Sequence, residues 1–115
     1  MFAHSVAFQL KPGRAADFTQ LLDQQIIPLL RKQKGFQDEI ALVSLGGAKA
    51  LAISVWNLKE DAEAFAHGAF QGVLESMAQV IEGTAHVQTY EVTYSTFRTI
   101  VDRASASSHT ASVSA

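Results

Sequence analysis

The chain has 115 residues, 48% hydrophobic and 17% charged, with 9 basic against 11 acidic side chains and a formal net charge of −2. That is the length of one domain, and its charges are too scattered to form a basic stripe that tracks phosphates, so nucleic acid is not expected as a partner. With no cysteine, disulfides, thiolate metal sites and cysteine nucleophiles are excluded. No apolar run reaches the ~20 residues of a membrane helix, so no membrane partner is expected. Residues 1–11 lack the basic start and small-residue cleavage site of a secretory signal, and the cytoplasm is the expected location. The apolar share exceeds what so small a domain needs for its own core, which points to a partner surface.

Residues 2–10 alternate with period two: Phe2, His4, Val6, Phe8 and Leu10 share one face, and Ala3, Ser5, Ala7 and Gln9 the other. That pattern predicts a strand. Lys11, Pro12 and Gly13 then punctuate the chain. Over residues 14–34, Phe18, Leu21, Leu22, Gln25, Ile26, Leu29 and Leu30 recur at helical spacing. Arg31, Lys32 and Lys34 suit the negative end of that helix and Gly35 its left-handed cap. Pro28 lies inside it, where a missing donor and a bulky ring predict a kink.

Residues 36–45 and 50–56 read as two strands around a Gly46, Gly47 turn, a hairpin. On the second, Leu51, Ile53 and Val55 fill one face and Ala52, Ser54 and Trp56 the other, so neither is clearly made for water. Asn57 followed by Glu60 predicts a capping box that opens the second helix. Ala62, Phe65, Ala66 and Ala69 form its apolar stripe, Gly68 loosens it, and a further helical stretch over 70–81 ends at Gly83. Residues 84–97, rich in β-branched and aromatic side chains, form a fourth strand. Residues 1–99 thus make one domain. From Arg103 onward the chain is Ser, Ala, Thr and His with almost no large apolar side chain, and residues 100–115 are expected to form a disordered tail.

The order β-α-β-β-α-β is the ferredoxin-like α+β arrangement, an antiparallel sheet with helices on one face. Lys11, Pro12 and Gly13 after strand one, Gly35 and Phe36 at the first helix exit, and Ile53 to Trp56 followed by Lys59 to Ala62 stand in a telling order. With Val87, Tyr90, Glu91 and Val92 they resemble the antibiotic biosynthesis monooxygenase family, over roughly residues 2–97. The resemblance implies a dimeric α+β barrel, two sheets packed face to face, which agrees with a sheet that lacks a polar side. It also implies a cofactor-independent monooxygenase acting with O₂ on an aromatic or enolisable small molecule, with no metal and no organic cofactor. The family's quinone-forming members carry Asn four residues before the strand-three Trp, where this chain has Ala52. Its haem-degrading members need residues that are here Val6, Phe65 and the region of Leu74 and Glu75.

Among candidate site residues, His67 and His4 are the two bases, because imidazole titrates near neutrality. Trp56, Phe65, Tyr90 and Tyr94 are the candidates for contact with an aromatic ligand through stacking or an N–H or O–H donor. Each also has a plainer reading: core packing for Trp56 and His4, an exposed helical position for His67, ordinary strand residues for the tyrosines. The four histidines are too dispersed for a metal site. The alternative function is a non-catalytic homodimeric barrel that binds a small hydrophobic ligand as a stress-response or accessory protein.

Overall fold

Strand β1 (Phe2–Leu10) lies inside a four-stranded sheet of order β2-β3-β1-β4, in which every neighbouring pair is antiparallel. A computed structural model describes residues 1–97; the expected tail at 100–115, and the last two residues of the expected domain, lie outside the described residues. After β1 come α1 (Ala15–Leu21), a π-helical turn (Leu22–Ile26), α2 (Ile27–Arg31), β2 (Phe36–Val43) and β3 (Lys49–Trp56). Then follow α3 (Lys59–His67), α4 (Phe70–Met77) and β4 (Ile81–Glu91). This is the ferredoxin-like α+β fold, with all helices on one face of the sheet.

The alternation of β1 places Val6, Phe8 and Leu10 on the helix face, where they meet Phe18, Leu22, Ile26 and Leu30 from the first helical segment. Phe65, Phe70, Val73 and Met77 from α3 and α4 complete that core. The kink expected at Pro28 takes the form of a π turn just before it. The Ile27 amide reaches back five residues to the Leu22 carbonyl, which widens the helix where a proline ring would otherwise crowd the preceding turn. Gly35 closes the segment at φ +82°, and a Cβ there would overlap the side chain of Asp61.

Three expectations are corrected. Asn57 is not the cap of α3. Its amide donates to the Gly35 carbonyl (2.8 Å), and the extended Leu58 is the N-cap, with no side-chain capping bond. The last helix stops at Met77 rather than reaching residue 81, and Gly83 lies inside β4. There, at φ +79°, it sits beside the register shift where β1 and β4 slip between Ala7 and Gln9, the usual use of glycine at a bulge. The fourth strand therefore spans 81–91 instead of 84–97.

A second bulge falls in β2. Phe36 pairs with Trp56 and Asp38 with Val55, which leaves Gln37 as an extra residue. From Asp38 onward the sheet face away from the helices carries Ile40 and Leu42 beside Leu51, Ile53 and Val55. A groove of about 380 Å³ on that face is lined by these strands and by Val92, Tyr94 and Phe97.

Candidate functional site

A row of polar residues crosses the otherwise apolar helix face. In the strand register His4 of β1 stands opposite Ser54 of β3, and Ser54 stands opposite Glu39 of β2. Neighbouring strands lie ~4.8 Å apart, so the three side chains rise from adjacent points on one face. Above them the π turn, α2, α3 and α4 enclose a partly open cavity of about 30 Å³, room for one or two waters. His4, Ser54 and Glu39 line it, and the rest of the wall is aliphatic, aromatic or methionine.

His4 is only 1% exposed, and its Nε2 meets no hydrogen-bond partner. Its ring is boxed edge-on by Phe65 (5.4 Å between centroids) and Phe70 (4.8 Å). Burial in that aromatic box lowers its pKa, which keeps the imidazole neutral near pH 7. Glu39 experiences the mirror effect: desolvation pushes its carboxyl up to about 8, so it is largely protonated at neutral pH. A buried polar atom without a partner is rare in folded proteins, and this one belongs to a ring that lines the cavity.

Ser54 and Trp56 support the row from below. The Trp56 indole N–H donates to Ser54 Oγ (2.8 Å), and that hydroxyl donates to the His4 carbonyl (3.3 Å). Trp56 is fully buried, stacked on Phe65 (4.9 Å) and edge-on to Phe36 (5.7 Å). It is absent from the cavity wall and its donor is already used, so it touches the site through Ser54 and Phe65.

The expected site residues therefore divide. His4 and Phe65 line the cavity together. His67 ends α3 as an exposed residue away from it. Tyr90 pairs with Ala3 and so belongs to the opposite face of the sheet, where Tyr94 also lines the groove; both are exposed, at 52% and 62%. Glu39 is the residue that sequence reasoning passes over. It belongs to no motif, and plain alternation from the core-facing Phe36 would turn it away from the helices. Only the extra residue at Gln37 brings it in. Among the described residues no cluster of His, Asp or Glu could hold a metal ion.

No family model and no curated protein matches the chain. Solved structures do match in shape. One is a Streptomyces coelicolor monooxygenase in complex with nanaomycin D, with TM-score 0.69 and 14% identity over 82% of this chain and 88% of that one. Another is a variant of SnoaB, a cofactor-independent oxygenase of Streptomyces nogalater, with TM-score 0.66 and 16% identity over 84% of this chain and 97% of that one. A Bordetella bronchiseptica protein, provisionally described as an antibiotic biosynthesis monooxygenase, gives TM-score 0.67 and 16% identity, covering 79% and 95%. At such identities the likeness is one of fold. The fold this chain adopts is that of the antibiotic biosynthesis monooxygenases.

Proposed function

We propose that the protein is a cofactor-independent monooxygenase that acts, as a homodimer in the cytoplasm, on an aromatic or enolisable small molecule. The observation that carries this reading is the neutral His4 imidazole, which lines a largely apolar cavity and whose buried Nε2 has no partner, in a fold shared with oxygenases. Such a base takes the proton of a phenol or enol. The apolar wall then leaves the resulting anion poorly solvated and electron-rich.

One electron passes from that anion to O₂, and the two radicals join at carbon to give a hydroperoxide. Loss of water leaves a carbonyl. In balance, CH₂ and O₂ become C=O and H₂O, a four-electron oxidation of carbon in which O₂ is the sole oxidant. Phe65 and Phe70 flank His4 and would hold an aromatic ring beside it. O₂ uptake by the pure protein over a panel of phenols and naphthols tests the reading. Substrate-dependent uptake that His4→Gln abolishes is the expected result, and no uptake from any member of the panel would overturn it.

One observation favours the second reading, a dimeric barrel that binds a hydrophobic ligand without turning it over. Ala52 lines the cavity at the position where the quinone-forming monooxygenases carry Asn, which leaves the site without that polar group; the cavity's size, about 30 Å³, requires the wall to move under either reading. A ligand carried through purification, unchanged in mass after incubation in air, would distinguish it.

A further inference from the structure

We propose that His4 and Glu39 together form a binding site for the hydroxyl group of a neutral phenol or enol, gripped between two side chains that rise from different strands. The kind of ligand rests on the oxygenase reading; the pairing of the two residues does not. Glu39 and His4 face Ser54 from either side in the register, both line the same cavity, and no other ionisable side chain among the described residues does. The helices over the pair contribute only carbon and a methionine sulfur, and β3 contributes Ala52 and Ser54. The Ser54 hydroxyl is occupied by Trp56 and the His4 carbonyl, so it competes little for the ligand.

Each member has what the other lacks. Nε2 of a neutral imidazole accepts a proton, and a protonated carboxyl donates a hydrogen bond to the same ligand oxygen. When the ligand O–H breaks, its proton forms an N–H on His4 and the electron pair stays on oxygen, steadied by the Glu39 O–H. Burial holds both groups uncharged near pH 7, so a charged ligand would enter an apolar cavity with no counter-charge. A neutral one is favoured. The selectivity follows from the charge state of the empty site.

Phenol itself is the probe, since it stays neutral to about pH 9 and its binding needs no turnover. Calorimetric titration should show an affinity that is flat around neutrality and falls about tenfold from pH 7 to 9, as Glu39 ionises and loses its donor. Glu39→Gln, which keeps an N–H donor and the shape, should bind with a flat profile across that range. Glu39→Leu should bind at least tenfold more weakly at pH 7. A measurement that needs no variant is the ¹³C titration of the Glu39 carboxyl, whose midpoint phenol should raise because it binds the protonated form. Failure to bind phenol, a step that persists in Glu39→Gln, or a carboxyl midpoint indifferent to phenol would each overturn the proposal. Phenol binding with no O₂ uptake would overturn only the oxygenase reading.

Discussion

Glu39 shows how a residue can serve a site at the expense of stability. An acid whose carboxyl is raised from 4.5 to about 8 in the folded state holds its proton over a range where the unfolded chain has released it. The folded state binds more protons there, so stability falls as pH rises from about 4.5 to 8 and is level beyond it. The loss between pH 4.5 and 7 is on the order of 3 kcal/mol, an upper figure because the residue is only half-buried. Glu39→Gln should remove this slope and leave the variant with a higher Tm than the parent at pH 7, while the two converge near pH 4.5. Thermal unfolding at several pH values checks it; a parent whose Tm does not decline towards neutrality would contradict the assigned environment. At this scale the sequence was half legible. The alternation of residues 2–10 grouped His4 with Val6 and Phe8 on one face, but nothing in it said which face the helices cover or distinguished a hydrogen-bonded core histidine from one left unpaired beside a cavity.

Among the elements, the joint between the first helical segment and β2 is the most constrained. Gly35 combines φ +82° with an approach that would bring an added Cβ within 2.7 Å of Asp61 Cβ and closer still to its carboxylate. The backbone alone makes alanine there unfavourable by ~1–3 kcal/mol, and the overlap adds to that. Gly35→Ala should therefore unfold at clearly lower denaturant. Adding Asp61→Ala should return the carboxylate's share of the overlap but neither the φ strain nor the remaining 2.7 Å approach to the Asp61 Cβ, so equilibrium unfolding should show the double variant recovering only in part. The sequence named Gly35 as a cap because one local rule governs it. It misplaced the start of α3, because Asn57 is held by Gly35, more than twenty residues away in sequence. It also misplaced the last helix and strand, because Gly83 has two uses, a helix end and a bulge, that look alike in one dimension. Tertiary pairing chose between them.

At the scale of the whole molecule the helices cover one face of the sheet and leave the other only partly covered, with Ala3 and Val55 buried on it but Leu42, Tyr90, Tyr94 and Phe97 exposed. Away from the helices stand Ala3, Ile40, Leu42, Leu51, Ile53 and Val55, with Tyr90, Tyr94 and Phe97 beside them. Asp38, paired with Val55 on that side, keeps a buried Oδ2 with no donor in its own protomer. A second copy would cover the apolar residues and could supply that donor. Burying the face between two copies would hide on the order of 2,000 Å², the scale of obligate homodimers. Sedimentation at low micromolar concentration should show a dimer, and the unfolding midpoint should rise with protein concentration. A well-folded monomer under those conditions would remove the homodimer from the proposed function. The sequence disclosed this feature most directly, since two unpolar faces on one strand are visible without knowing which way either points.

The extra residue at Gln37 has a consequence for how this site could be gained or lost. Phe36 and Glu39 stand three apart, an odd step that a regular strand would resolve by facing one inward and the other outward. The bulge resets the count, so the anchor packed on Trp56 and the acid beside Ser54 are in phase although their spacing is not. Deleting one residue here would leave both in place and only straighten the strand. Inserting one would make the step four, which is even again, so a regular strand would keep both on one face but move the acid from its place opposite Ser54 to one opposite Ala52. In either direction a one-residue change of length keeps the acid on the helix side only by giving up the bulge, and the insertion alone also changes its partner in β3.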